Sequence, residues 1–161
     1  MPIPDFIVAL REKVGHAPLW LSGVTAVVHR CTGDAREVLL VRRADNGEWT
    51  SVTGVIDPGE EPAVAAAREV LEEARVVAVP ERLAWVHVLP PMTYDNGDRA
   101  QYIDVVFALR YESGVAAVGD DENTDAGWFR LDALPEMSAS HRERIREALE
   151  GGPEARFGTD G

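Results

Sequence analysis

Residues 62–74 must form a helix with a buried side that also carries three carboxylates, and no other segment restricts the fold as much. The run Pro62-Ala63-Val64-Ala65-Ala66-Ala67-Arg68-Glu69-Val70-Leu71-Glu72-Glu73-Ala74 is rich in alanine, the best helix former. Pro62 suits the first turn, where the amide it lacks would have no partner. At about 100° per residue, Glu73 stands about 40° to one side of Glu69 and Glu72 about 60° to the other. The opposite arc holds Ala63, Val64, Ala67, Val70, Leu71 and Ala74, the expected buried face. Like charges so placed repel unless a cation sits among them. Oxygen ligands of this kind suit Mg²⁺ or Mn²⁺, and magnesium commonly completes its shell with water and phosphate oxygens. That arrangement points to phosphate chemistry. A plain solvated acidic helix face has the same composition, and on the glutamates alone it is the commoner case.

The other segments alternate between strand and helix patterns. Phe6, Leu10 and Val14 fall at helical spacing within residues 5–15, with Asp5 placed to cap the start and Gly15 to end it. Gly23 to His29 and Glu37 to Arg43 are rich in β-branched and aliphatic residues. They flank the turn sequence Cys31-Thr32-Gly33-Asp34, which predicts a hairpin. Strands are predicted over Leu83 to Leu89 and 101–109. In the second, Ile103, Val105, Phe107 and Leu109 alternate with Tyr102 and Asp104. A short strand begins at Gly127-Trp128-Phe129, and Ser138 or Ser140 caps a last helix running to Leu149. Hairpins of this kind argue against a doubly wound parallel sheet. They favour an α/β arrangement with helices packed on a mixed sheet. The expected organisation is an N-terminal helix and lead-in over 1–20, one domain over 21–150 and a mobile tail over 151–161.

Composition narrows the function classes. A chain of 161 residues is long enough for one real core and short for two domains. Its net charge of −12, from 28 acids against 16 bases, repels phosphate backbones at long range, so a nucleic-acid partner is not expected. A small phosphorylated substrate remains compatible, because a divalent cation reverses the local sign where acids converge. No apolar run reaches the roughly 20 residues needed to cross a membrane, and the N-terminal residues Met1-Pro2-Ile3-Pro4-Asp5 lack a secretory pattern. Cys31 has no partner for an internal disulfide, in keeping with a cytoplasmic protein.

Around the helix the residues form a recognisable series: Gly54, then Glu60, then Arg68-Glu69-Val70-Leu71-Glu72-Glu73-Ala74-Arg75-Val76. This segment resembles the box of the Nudix hydrolases, in which a glycine, a glutamate and an Arg-Glu-apolar-x-Glu-Glu-x-Gly-apolar run keep the same spacing. Leu39 to Arg43, Trp49, Pro58-Gly59-Glu60, and Trp128-Phe129 before Leu134-Pro135 extend the resemblance over roughly 22–149. It implies a Nudix-type α/β/α sandwich with a mixed sheet. It also implies metal-dependent hydrolysis of a nucleoside diphosphate linked to another group. By carry-over, Glu69, Glu72 and Glu73 bind the divalent metal, the Gly54 carbonyl adds a ligand, and Arg68 pairs with a carboxylate such as Glu60. Glu60 is either that partner or a neighbour of the metal. Two positions depart from the pattern. Arg75 replaces a glycine that in the family follows the helix in a left-handed conformation; either the helix ends differently here or the arginine takes that conformation at a cost on the order of 1 kcal/mol, and a tolerated surface substitution is the plain reading. An acid near Arg75 would link it to metal affinity. Ser51-Val52-Thr53-Gly54 stands where many relatives have Leu-Pro-Gly-Gly.

A general base is expected from the box itself, at Glu69 or Glu73, or from the acidic loop 119–125. There Glu122 is the first candidate and Asp125 the second, and a solvated acidic loop is the plain alternative. Arg42 and Arg43 are candidate phosphate contacts, with one of them facing away by strand alternation. Tyr94 and Trp49 are candidate stacking partners for a base, or core packing in the case of Trp49. Pro91 resembles the mark of ADP-ribose hydrolases and Tyr94 that of dinucleoside polyphosphate hydrolases, so the two signals disagree. His16, His29, His87 and His141 share no ligand spacing and are expected in structural or surface roles. Two other classes stay open: a non-catalytic nucleotide sensor, and an isomerase of the isopentenyl diphosphate type. The isomerase would need a catalytic cysteine, whereas Cys31 lies upstream of the box. The N-terminal helix suits either a homodimer contact or packing within the chain.

Overall fold

The computed structural model describes residues 3–158. The chain runs α1 (Asp5–Val14), β1 (Leu19–Thr32), β2 (Ala35–Arg43), β3 (Trp49–Thr50), β4 (Val52–Val55), α2 (Pro62–Ala74), β5 (Val77–Val88), β6 (Met92–Thr93), β7 (Arg99–Ser113), β8 (Asn123–Arg130), a short 3₁₀ turn at Leu131–Ala133, α3 (Ala139–Glu150) and β9 (Arg156–Phe157). One mixed sheet has the order β3-β2-β1-β7-β5-β9, with β4 also paired to β1, β6 to β7 and β8 to β2. β1 and β7 are parallel and run together from Leu19↔Ala100 to His29↔Arg110. The hairpin β1–β2 is antiparallel and turns at Gly33, so Cys31 ends up in the strand rather than in the turn.

Both faces of the sheet are covered, which makes this the expected α/β sandwich. One core packs Val24, Leu39, Val52, Val70 and Leu109 beneath α2. The other packs Val27, Val38, Leu40, Val106 and Ile145 beneath α3. Burial on both sides explains the unbroken apolar runs in β1 and β2, where a one-faced strand would alternate. It also corrects the reading of β7. Asp104 sits on a face expected to be polar, yet it is 2% exposed. Thr25 Oγ1 donates to it at 2.9 Å, His87 Nε2 lies at 2.8 Å, and Arg144 Nε at 3.7 Å. Arg144 Nη1 also donates to Thr25 Oγ1 at 3.1 Å. These contacts surround a carboxylate that burial would otherwise make very costly.

The ends of the chain also differ from expectation. β1 begins at Leu19, so the lead-in over 1–20 merges into the sheet. α1 packs inside the same molecule, with Ile7 buried against Leu21 and Ala100. The segment expected to be a mobile tail instead adds β9, paired in parallel with Trp85 and Val86. Arg156 there reaches Glu143 at 3.0 Å and Glu147 at 2.9 Å. Residues 159–161 of that tail lie outside the described residues.

Arg75 adopts the left-handed conformation expected of the glycine it replaces, with φ 57° and ψ 27°. Its amide donates to the Leu71 carbonyl at 3.1 Å, closing the helix. Its Nε donates to the Val118 carbonyl at 3.2 Å, so the hydrogen-bond partner is a backbone oxygen rather than the acid considered from sequence. Arg75→Gly relieves the Cβ strain but gives up the bond to Val118 and adds freedom to the unfolded chain, so its stability should change by less than about 1 kcal/mol. Arg75→Val places a β-branched residue there and costs at least about 1 kcal/mol. Urea unfolding of the two variants checks the order; a more stable valine variant would contradict the strain.

Candidate metal and active site

α2 starts on Pro62, with Glu61 extended before it, and its rotation about its axis differs from the expected one. Its buried residues are Ala65, Ala66, Glu69, Val70, Glu73 and Ala74, whereas Val64 and Leu71 are 58% and 52% exposed. The carboxylates of Glu69 and Glu73 therefore point into the protein and only Glu72 faces solvent. Helical periodicity placed the glutamates on one arc. It assigned that arc to solvent because an ionised carboxylate is normally kept out of a core.

Arg68 fixes this rotation. Its Nε and Nη2 donate to the two oxygens of Glu60 at 2.7 and 2.9 Å, and Nη2 also reaches the Val55 carbonyl at 3.2 Å. Nη1 donates to Glu69 Oε1 at 2.9 Å and to Glu72 Oε2 at 3.2 Å. Glu60 is thus a fork partner of Arg68, and the guanidinium beside it holds its carboxyl below the usual range. Gly54 lies in β4 opposite Val24. A Cβ there would sit 2.1 Å from Glu69 Cδ, so the missing side chain is the space that Glu69 occupies.

The other half of the site is hung from the end of α2. Ala117 N donates to the Ala74 carbonyl at 3.1 Å and Gly119 N to the Glu73 carbonyl at 2.9 Å, satisfying groups that a helix end leaves open. Gly119 is required by this contact, since a Cβ would fall 1.8 Å from the Glu72 carbonyl oxygen. The chain then carries Asp120 and Glu122 to Glu73, and oxygen atoms of the three residues lie within 4.8 Å of one another. Asn123 Nδ2 donates to Glu73 Oε2 at 3.2 Å.

The acids brought together are therefore Glu73, Asp120 and Glu122, while Glu69 and Glu72 sit on Arg68. Asp120 was not singled out from sequence. Its signal was the Gly119-Asp120 pair, readable only once the glycine is known to touch the helix. Asp125 is exposed, and the oxygens of Glu122 are the ones beside Glu73. Arg43 holds Asp45 with bonds of 2.9 and 2.6 Å and is close enough to Glu122 and Glu73 to feel their charge. Arg42 points away, donating to the Gly47 carbonyl at 3.0 Å and lining a separate cleft with Trp49 and Ser138. Trp49 packs edge-on against Phe129, with ring centres 4.8 Å apart. Tyr94 hydrogen-bonds through its hydroxyl to Tyr102 at 2.8 Å, next to a cavity that Glu122 also lines.

The electrostatics fit a divalent cation. Burial pushes Glu69 up to about 7 against the pull of Arg68. Burial, and then the hydrogen bond with Glu122, raise Glu73 further. Without a cation, burial favours the protonated forms of both acids. Glu69 Oε2 is also buried with no hydrogen-bond partner. Glu73, Asp120 and Glu122 together form an all-oxygen set of the kind that magnesium and manganese take.

Comparisons with known proteins agree with this fold. The family model of the NUDIX domain matches residues 21–150. A MutT-like protein of Streptomyces ambofaciens is 33% identical over 147 residues, covering 90% of this chain and 88% of that protein. The dihydroneopterin triphosphate diphosphatase of Escherichia coli K12 is 33% identical over 127 residues, covering 78% of this chain and 72% of the enzyme. In fold, an ADP-ribose pyrophosphatase of Streptococcus suis matches with a TM-score of 0.65 at 22% identity, over 85% of this chain and 98% of that one.

Because Glu69 and Glu73 bind protons more tightly folded than unfolded, their contribution to stability is complete below the ordinary carboxylate value of 4.5. It is lost as pH rises through the raised values. A bound cation favours the ionised forms and opposes that loss. In chelator, Tm should fall as pH rises from about 4.5 to 9, and the gain in Tm on adding Mg²⁺ should grow over the same range. A gain that does not change with pH would break the link between these protons and the metal.

Proposed function

The chain belongs to the NUDIX family and is a pyrophosphohydrolase of nucleotide derivatives, and we propose that Glu73, Asp120 and Glu122 form its Mg²⁺ site with Glu122 as the general base. The observation that carries this reading is the convergence of those three acids at the end of α2, with oxygens within 4.8 Å. Bound there, the cation would neutralise phosphate charge and lower the pKa of a coordinated water. Glu69 stands behind the site with one oxygen lacking a hydrogen-bond partner, available to a second ion or to a water of the first. Mn²⁺ suits the same oxygens.

Each side chain then has a task. Glu122 takes a proton from the attacking water as a new P–O bond forms. The bridging P–O bond breaks and its electron pair leaves with the second phosphoryl group. A nucleoside monophosphate and a phosphorylated product result. Arg43, which feels the charge of Glu122 and Glu73, is the candidate to meet a phosphate oxygen, and Arg68 is a positioning residue that keeps Glu69 under β4. Arg42 faces the other way and is left out of this assignment. The substrate is a small nucleoside diphosphate derivative. The net charge of −12 favours such a ligand, carried by its own metal, over a nucleic acid.

A panel of nucleoside diphosphate derivatives with Mg²⁺ or Mn²⁺, read by released monophosphate, tests the reaction. Glu122→Gln at saturating metal should lower kcat by about 10²-fold or more with a smaller change in KM. Undiminished turnover would move the base to Glu69 or Glu73. Tight nucleotide binding with no turnover across the panel would instead favour a nucleotide sensor.

A further inference from the structure

Beside the acids, α1 closes a cavity of about 190 Å³. Its walls include Pro4, Ile7 and Arg11 on one side and Tyr94, Tyr102 and Ala100 on the other, and Glu122 belongs to its lining as well as to the acid trio. The cavity is therefore next to the site of bond cleavage. It is also rigidly built. Ile7 is buried, Arg11 Nη1 donates to the Ala17 carbonyl at 2.6 Å, and Nη2 donates to the Arg99 carbonyl at 2.8 Å.

Its chemistry does not suit a phosphate. The charged lining residues are Arg11, Asp98 and Glu122, and the other walls are largely apolar, with Leu21 and Val55 among them. Its volume is below the roughly 300 Å³ at which pockets for drug-sized ligands begin, so it holds one ring system rather than a whole nucleotide. It does offer donors. The Tyr94 and Tyr102 hydroxyls carry two protons, and the 2.8 Å bond between them uses one. Arg11 Nε is buried without a hydrogen bond, 3.5 Å from Asp98 Oδ2. A neutral planar ring with acceptor atoms, attached to a group that reaches Glu122, satisfies all of these conditions.

We propose that α1 and Tyr94 form the pocket for the nucleobase of the substrate. This rests on the hydrolase reading above and adds which part of the nucleotide is recognised and by which elements. α1 then sets specificity, and the diphosphate extends from the pocket toward Glu73 and Asp120.

Titration calorimetry with AMP, UMP and ribose 5-phosphate in Mg²⁺ tests the pocket without requiring turnover. Wild type should bind at least one of the two nucleotides about tenfold more tightly than ribose 5-phosphate. Tyr94→Ala, which removes the ring, and Ala100→Leu, which fills the cavity, should each abolish most of that preference. Tyr94→Phe should retain it, and ribose 5-phosphate binding should stay the same throughout. Should Ala100→Leu not fold, Tyr94→Ala decides. No preference in the wild type, or a full preference in Tyr94→Ala, overturns the assignment. Failure of the hydrolase reading looks different: no substrate of the panel is cleaved, whatever the binding shows.

Discussion

Arg68 donates through all three nitrogens of its guanidinium, and the rotation of α2 depends on it. Two nitrogens grip Glu60 in the loop before the helix and the third divides between Glu69 and Glu72. A planar fork of this kind fixes orientation as well as distance, which a lysine would not. With the helix so turned, Glu69 fills the space over Gly54 and Glu73 faces the segment arriving from β7. Rotation by a single residue, about 100°, in the sense that moves each side chain to the place of the one before it would carry Glu69 and Glu73 to the more exposed places of Arg68 and Glu72 and bring Leu71 inward. Burying an apolar side chain would stabilise the fold by about 1.5–3 kcal/mol, so the observed orientation keeps Glu69 and Glu73 inside at the expense of core packing.

That choice leaves buried acids that repel each other, and the molecule answers it with protons. Glu69 and Glu73 are both raised, chiefly by burial, and Asn123 gives Glu73 a hydrogen bond of 3.2 Å. A site of this kind is poised for a divalent ion, because ion binding replaces shared protons with a stronger charge and releases them to solvent. On the far face of the sheet Asp104 is equally buried, and there the compensation is built in through Thr25, His87 and Arg144. Two buried acidic centres therefore sit on opposite faces, one neutralised by its own neighbours and one whose carboxyls burial pushes toward the protonated form.

Much of this was legible from the residues. The spacing from Gly54 to Val76 and the alternation in the strands were sufficient for the sandwich, the helical spacing of Phe6, Leu10 and Val14 for α1, and the acidic loop 119–125 offered Glu122 as a candidate. Helix periodicity could not supply the rotation of α2, since three glutamates and a set of alanines fit either side. The choice turned on Arg68, whose bond to Glu60 spans a loop. Asp120 was hidden for a related reason: its position comes from Gly119 touching the Glu72 carbonyl, a contact between segments far apart in sequence. Asp104 looked like a solvent-facing residue because its partners come from β1, β5 and α3. At Arg75 the sequence left two endings of the helix open, and the structure takes the left-handed one, with φ 57°.

The last strand has a consequence for how these molecules behave in a crowd. β5 lies near one margin of the sheet, and an open margin offers its unpaired backbone groups to any passing strand. Along most of β5 that offer is spoiled by Pro80 and by irregular register at Val77/Ala78, Pro80/Arg82 and Leu83/Trp85. The regular stretch at Trp85 and Val86 is covered by Arg156 and Phe157, and Trp85 Nε1 donates to the Gly158 carbonyl at 2.8 Å. Arg156 and Phe157 thus act as a seal over part of the regular run 85–88, and trimming them would open that run to a strand from a second copy.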